Sequence, residues 1–235
     1  MSSKSRLHDR LTNIRFNRLG DDYNKTYRLY ELTLPATKVH NDDHYDRWLF
    51  FEQTLRDLFE MPNAQFWYPM KNCMEHFGIA YAFVPLNSTS ITADISAMTI
   101  LTRRNNSMDS MYVCYMATRK EHRRRGLGTR LLQQIVQRAF DERKNGIKSI
   151  TLNVNTLNTG AIQLYERCGW RCSAYLPGYL EPEPHHATNH AYALILRLEN
   201  VKNATSLCRE PNAVKIDPAD DRQSLNHCGR QPLSI

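Results

Sequence analysis

The segment MYVCYMATRKEHRRRGLGTRLLQQIVQRAF, residues 111–140, runs from an apolar stretch through three consecutive arginines to a Gly-x-Gly and then into a second apolar stretch. In that second stretch Leu131, Leu132, Ile135, Val136, Ala139 and Phe140 recur at helical period, which predicts a helix ending near Asn145 and Gly146. Residues 111–117 read as a strand. Between the two, Arg123, Gly126 and Gly128 make an Arg-x-x-Gly-x-Gly. Backbone N–H groups converge at a helix start and carry the positive end of the helix dipole, which favours a phosphate there. Glycines let the backbone approach such an anion, and arginines on the rim can add charge-assisted hydrogen bonds. The loop lacks the Lys-Ser/Thr of an ATP-binding loop and the third glycine of a dinucleotide fingerprint, so it is neither.

Downstream, SITLNVN (residues 149–155) alternates strictly, with Ile150, Leu152 and Val154 on one face and Thr151, Asn153 and Asn155 on the other. It reads as a strand with a polar working face. Thr159 opens a short helix with Ala161, Leu164, Tyr165 and Cys168 on one side, and Gly169 is its stop. CSAYLPGYL (172–180) and AYALILRL (191–198) read as two strands separated by the loop EPEPHHATNH. Upstream, NIRFNR (13–18) alternates as a strand does, and Asp21 and Asp22 cap a predicted helix carrying Tyr23, Tyr27, Tyr30 and Leu34 up to Pro35. A second helix is predicted over residues 46–60, with Trp48, Phe51, Leu55 and Leu58 on one face. AQFWYPM (64–70), GIAYAFVPL (78–86) and residues 91–102 form a β-rich region, in which 87–110 is an inserted hairpin or a long loop.

The whole chain has 235 residues, 41% hydrophobic and 23% charged, enough to bury the core of one domain with tails. No apolar run approaches the roughly 18 residues of a membrane span, and the opening MSSKSRLHDR lacks the apolar core of a secretory signal. A cytoplasmic protein is expected, with nuclear or peripheral membrane association open. The six cysteines contain no CxxC pair, and in a reducing compartment they are expected to be free thiols with no zinc site. The net charge of +7 suits nucleic acid, an anionic membrane face or a polyanionic small molecule. Without an RNA-binding sheet signature or zinc-finger spacing, nucleic acid is not expected as the primary ligand. His185, His186 and His190 stand near Glu183, but in a loop; no metal is expected there, and one of the three could instead supply a base. His122 is expected to be solvated.

With its loop at Arg123, Gly126 and Gly128, and with NTGAIQLYERCGW (158–170) one strand further on, the chain resembles the GNAT family of N-acetyltransferases. The first motif is similar to that family's pyrophosphate loop, Arg/Gln-x-x-Gly-x-Gly/Ala. The second is similar to its Asn-x-x-Ala-x-x-x-Tyr-x-x-x-Gly-Phe/Trp segment. The resemblance implies an α/β (α+β) GNAT fold over residues 13–199, a mixed central sheet of about seven strands flanked by about four helices. Residues 1–12 are then a flexible N-terminus and 200–235 a disordered polar tail that could bind a partner. It implies acetyl-CoA as cofactor, held by Met116, Ala117 and Thr118 at the strand end, by Arg123, Arg124, Arg125, Gly126, Leu127, Gly128 and Thr129 in the loop, and by Asn158. Tyr165 corresponds to a tyrosine near the thioester sulfur.

YLPGYL after the last helix, the Leu34-Pro35 pair and HYDRWL (44–49) are similar to N-terminal protein acetyltransferases of the NatE and NatF catalytic-subunit type, with Leu34, Pro35 and Tyr179 implied in the peptide groove. The stretch between Pro85 and Met111 favours the NatF type. In those relatives a tyrosine and a histidine act as bases through water. Tyr112 falls at the tyrosine position, but the histidine position is Asn153, which accepts no proton at any useful pH. An α-amine of pKa about 7.7–8.0 is about a quarter neutral near pH 7.4, whereas a lysine at about 10.4 is neutral only about one part in a thousand. Protein N-termini are therefore the expected acceptors. Lysines (including those of histones), a small amine, or a degenerate CoA-binding module without activity are the alternatives.

Overall fold

The computed structural model describes residues 15–20, 23–33, 41–60 (side chains from 49), 78–103, 109–180, 188–204 and 207. Its strands are β1 (Arg15–Arg18), β2 (Tyr27–Thr33), β3 (Ile79–Pro85), β4 (Ala97–Arg103), β5 (Ser110–Thr118), β6 (Ser149–Asn155), β7 (Arg171–Leu176) and β8 (Ala191–Arg197). Its α-helices are α1 (Asn41–Phe59), α2 (Leu127–Asp141) and α3 (Thr159–Arg167). One mixed 8-stranded sheet holds the strands in the order β1-β2-β3-β4-β5-β6-β8-β7. From β1 to β4 consecutive strands pair antiparallel. β5 and β6 are joined through α2, the kind of crossover a parallel pair needs.

The class expected from the sequence is recovered, with one helix exchanged for a strand. The segment of Tyr23, Tyr27 and Tyr30 does not continue as a helix: residues Tyr27–Thr33 are β2, with Tyr30 opposite Arg18 of β1 and Ala82 of β3. Lying between two strands, β2 buries Tyr27 and Leu29 on one face and Tyr30 and Leu32 on the other. A strand covered on both faces shows no one-sided alternation, and its apolar residues then mimic a helical stripe. Residues 87–110 contain β4 rather than a hairpin of their own, and AQFWYPM lies outside the described residues.

The chain forms two compact units, Met1–Ser107 with Val113–Leu131, and Met108–Tyr112 with Leu132–Ile235. In the first, α1 lays Phe51, Leu55 and Leu58 against Leu32, Ala80, Ala82, Met98 and Ile100 of the sheet. That stripe is the one its spacing predicts. In the second, Leu132, Ile135, Val136 and Ala139 of α2 are buried, as are Ile150, Leu152 and Val154 of β6. Thr151, Asn153 and Asn155 stay half-buried, so the alternation of β6 holds residue by residue. Gly169 closes α3 with a φ of 92°, where a side chain would be strained.

One further expectation is corrected below, and the tail expected to be disordered from residue 200 has described residues at its start. Val201, Ala204 and Leu207 are buried, and the Gln133 side-chain amide donates to the Leu207 carbonyl at 2.8 Å. Three apolar residues among polar neighbours are too few to register as a period. None of the described cysteines is a free thiol: Cys114, Cys168 and Cys172 are disulfide-bonded. The free-thiol expectation came from an assumed compartment, and chain spacing carries no information on which sulfurs meet. Among the described residues no helix is long and apolar enough to cross a membrane.

Candidate active site

The residues singled out above fall into both units. In the first, β5 ends at Thr118, a single 3-10 turn spans Lys120–His122, and the arginines lead into α2. Met116 and Thr118 are half-buried and Ala117 is buried. Arg124 (φ 63°) and Gly126 (φ 80°) both take left-handed backbone. At Gly126 a Cβ would stand 2.5 Å from the Tyr23 hydroxyl oxygen, so a side chain there would be strained and would have to displace that hydroxyl. α2 starts at Leu127 and has no acidic residue in its first turn. Its ladder opens with the Arg130 N–H on the Gly126 carbonyl at 3.0 Å, and the N–H groups of Leu127, Gly128 and Thr129 take no partner among the described residues. A helix start with free donors, no internal anion and a bare glycine before it fits a phosphate group.

The three arginines divide. Arg123 Nε donates to the Thr118 carbonyl at 3.0 Å, and Arg125 Nη1 donates to the Tyr27 hydroxyl at 3.2 Å. Arg124, exposed, has no side-chain partner among the described residues. His122 is not solvated as expected. It is half-buried, with Nδ1 2.8 Å from the Tyr27 hydroxyl. Burial lowers its pKa below the ordinary value; Glu121 opposes that shift, and Arg125 and Arg119 reinforce it. His122 is therefore neutral at pH 7, and Nδ1 can accept the Tyr27 proton. A cavity of about 510 Å³ opens beside this network, with Asp94, Arg119, Glu121, His122 and Arg125 among its walls.

In the second unit Tyr112 is half-buried on β5, and Thr151 Oγ1 donates to the carbonyl of the residue before it, Met111, at 3.4 Å. Asn153 sits mid-strand on β6, opposite Ala193 of β8, and its side-chain amide has no partner among the described residues. Asn155 differs: its Nδ2 donates to the Thr188 carbonyl at 3.0 Å, and its Oδ1 accepts the Leu157 N–H at 2.8 Å. Asn158 caps α3, its Oδ1 accepting the Ala161 N–H at 3.2 Å, which leaves Nδ2 for another group. Asn158→Ala is expected to cost about 1 kcal/mol of stability through the lost cap, measurable by urea denaturation. Tyr165 is buried on α3 against Trp170, ring centroids 6.2 Å apart. Burial pushes its hydroxyl pKa well above the ordinary phenol range, so it keeps its proton throughout the neutral range.

Of the residues implied in the peptide groove, Tyr179 is exposed in the turn after β7, and Leu34 and Pro35 lie outside the described residues. Near that turn the rings of Tyr175, His190 and Tyr192 cluster, with centroids 5.6 and 5.9 Å from Tyr175. His190 Nδ1 accepts the Gly178 N–H at 3.0 Å. His185 and His186 lie outside the described residues.

Residues 26–170 match the sequence model of the Acetyltransferase (GNAT) family, a span that takes in the arginine loop, β6 and α3. The chain belongs to the GNAT family. It is an acetyl-CoA-dependent N-acetyltransferase. No curated protein sequence matches it. Solved structures do match in fold. NAA60 of Arabidopsis thaliana in complex with a bisubstrate analogue is 17% identical, with 72% of this chain and 97% of that chain covered and a TM-score of 0.52. The same protein in complex with acetyl-CoA is 16% identical, with 79% and 99% covered and a TM-score of 0.52. The ribosomal-protein-S18-alanine N-acetyltransferase of Escherichia coli is 16% identical, with 73% and 94% covered and a TM-score of 0.50. At these identities the likeness is one of fold.

Tyr23 and Tyr27 are the residues of this GNAT acetyltransferase that sequence reasoning missed. Both were assigned to a helix, and nothing local points from Tyr27 to His122, which is 95 residues away.

Proposed function

We propose that this GNAT acetyltransferase transfers acetyl to the α-amine of protein N-termini, as the NatF and NatE type does. The observation that carries this is Asn153. The half-buried face of β6 offers Thr151, Asn153 and Asn155, none of which takes up a proton near neutral pH. An acceptor must then arrive largely neutral, which an α-amine does and a lysine does not.

In this reading the free N–H groups of Leu127, Gly128 and Thr129, with Arg124 at the rim, hold the pyrophosphate of acetyl-CoA. In the second unit, the Nδ2 of Asn158 is left uncommitted at the start of α3. What acetyl-CoA supplies is an acetyl group activated as a thioester. The unpartnered amide of Asn153 orients the incoming amine or a water beside it, and the amine proton leaves through water, with Tyr112 as the phenol on the adjoining strand. Tyr165, protonated and without a described hydrogen-bond partner for its hydroxyl, donates a hydrogen bond to the departing thiolate, which takes its proton from water. The amine nitrogen gains the acetyl carbon and loses a proton; the sulfur gains one.

The test uses the full chain, acetyl-CoA and three acceptors: a Met-starting peptide with a free N-terminus, the same peptide N-blocked with an internal lysine, and a polyamine. The free α-amine is expected to exceed the lysine in kcat/KM by about 100-fold or more, following the neutral fractions. Equal transfer to lysine would reject the reading. Asn153→His is expected to raise turnover on the free peptide about 10-fold, with a new fall below about pH 6.5 as the imidazole protonates. A drop in turnover at pH 8 would show that Asn153 does not stand at the base position.

A further inference from the structure

Two tyrosines that the transfer chemistry does not use brace the arginine loop. Tyr27 is 2% exposed, and its hydroxyl lies between His122 Nδ1 at 2.8 Å and Arg125 Nη1 at 3.2 Å. Its ring stands edge-on to those of His122 and Phe83, with centroids 5.6 and 6.4 Å away. Tyr23 packs on Phe83 at 5.7 Å and puts its hydroxyl where a Cβ of Gly126 would go. The turn joining the two is closed by the Tyr23 N–H on the Tyr27 carbonyl at 2.7 Å and by the Tyr27 N–H on the Tyr23 carbonyl at 3.1 Å.

Arg124 lies between the two residues that Tyr27 ties down, and it is a non-glycine residue in left-handed backbone. Such a conformation persists only where the surroundings over-determine it. His122 before it and Arg125 after it, both bound to one buried hydroxyl, are surroundings of that kind. A loop held in its binding shape beforehand also saves the ordering cost when an anion arrives.

We infer that Tyr27 is a positioning residue for acetyl-CoA: by joining His122 and Arg125 through its hydroxyl, it holds the loop in the conformation whose N–H groups receive the pyrophosphate. This rests on the reading of that loop as the pyrophosphate site. The tie depends on the state of His122. Neutral, Nδ1 accepts the Tyr27 O–H while the Tyr27 oxygen accepts from Arg125; protonated, Nδ1 can only donate, to a hydroxyl oxygen that already accepts from Arg125, and a second positive charge then stands beside that guanidinium, which weakens the tie. The charged groups facing His122 are Glu121, Arg119 and Arg125, with Asp94 on the wall of the shared cavity. Since burial already disfavours the charged imidazole, the tie is intact at pH 7 to 8. It loosens as the pH falls through a His122 pKa that lies below about 6.5.

The experiment is equilibrium titration of the full chain with acetyl-CoA and, separately, with acetyl-pantetheine, which lacks the pyrophosphate. It compares the wild type with Tyr27→Phe, His122→Gln and Gly128→Asp at pH 8 and pH 6. Tyr27→Phe is expected to weaken acetyl-CoA about fivefold to tenfold at pH 8, the worth of one or two hydrogen bonds, and to leave acetyl-pantetheine unchanged. The wild type is expected to lose more affinity for acetyl-CoA between pH 8 and pH 6 than Tyr27→Phe or His122→Gln does. Should Tyr27→Phe fold poorly, His122→Gln removes the same tie from the half-buried side and carries the test alone. Gly128→Asp puts a carboxylate at the helix start and must weaken acetyl-CoA if the loop is the pyrophosphate site; no effect there overturns the loop reading and this inference with it. Weak binding by Gly128→Asp with wild-type affinity in Tyr27→Phe and His122→Gln overturns the inference alone. So does an equal loss for both ligands in Tyr27→Phe, which marks a general structural defect.

Discussion

Replacing Gly126 by valine is expected to raise the Kd for acetyl-CoA by about 100-fold or more, the equivalent of about 2.7 kcal/mol. Two effects add. A β-branched residue at a φ of 80° is strained, a cost of order 1–3 kcal/mol for a non-glycine residue in such a region. Its Cβ would also stand 2.5 Å from the Tyr23 hydroxyl oxygen, so either the tyrosine or the loop must move. Moving the loop turns the first N–H groups of α2 away from their common point, and that convergence is what makes a helix start bind phosphate. The measurement is a titration of wild type and variant with acetyl-CoA, accompanied by thermal unfolding to show that the variant remains folded. A folded Gly126→Val with wild-type affinity would mean that the pyrophosphate is held elsewhere.

Tyr165→Phe is expected to lower kcat about 100-fold while changing the KM for acetyl-CoA by no more than about threefold. The substitution removes one oxygen and leaves the ring to pack on Trp170. Because burial pushes the Tyr165 pKa upward, the phenol stays protonated, and its loss removes the hydrogen bond that stabilises the leaving sulfur. The same shift sets a sign for stability. Below the ordinary tyrosine pKa of about 10 the phenol is neutral folded and unfolded; above it the unfolded chain ionises first, so stability falls as the pH rises toward the higher folded value. Rates measured from pH 6 to 9 should therefore show no limb from Tyr165. An unchanged kcat in the variant would mean that the thiolate leaves without a hydrogen bond from Tyr165.

The candidate site was legible wherever its parts are neighbours in the chain. Arg123, Gly126 and Gly128 are three steps of one loop, and the helix they open shows its stripe through Leu131, Leu132, Ile135 and Val136. Strict alternation in β6 put Asn153 on the half-buried face, and its amide has no partner there among the described residues. The division of labour among the arginines was not legible. Arg123 turns back to the Thr118 carbonyl and Arg125 goes to Tyr27, so Arg124 is the one with no described partner, although the three look alike in a row.

Local order along the chain thus determined the family, the arginine-glycine loop and the polar strand face that carries Asn153, because each is a pattern of residue types within a few positions, set by helix period, strand alternation or the backbone freedom of glycine. What holds that loop had to come from the packed molecule. Tyr27 lies in a stretch whose two buried faces imitate a helix, and His122 sits in a run of charge that looks solvated. The two meet only because the fold brings the start of β2 up to the end of β5, 95 residues later, and a hydrogen bond across that separation leaves no periodic trace in either segment. The buried residues after β8 follow the same logic, since the Leu207 carbonyl meets the amide of Gln133, 74 residues earlier.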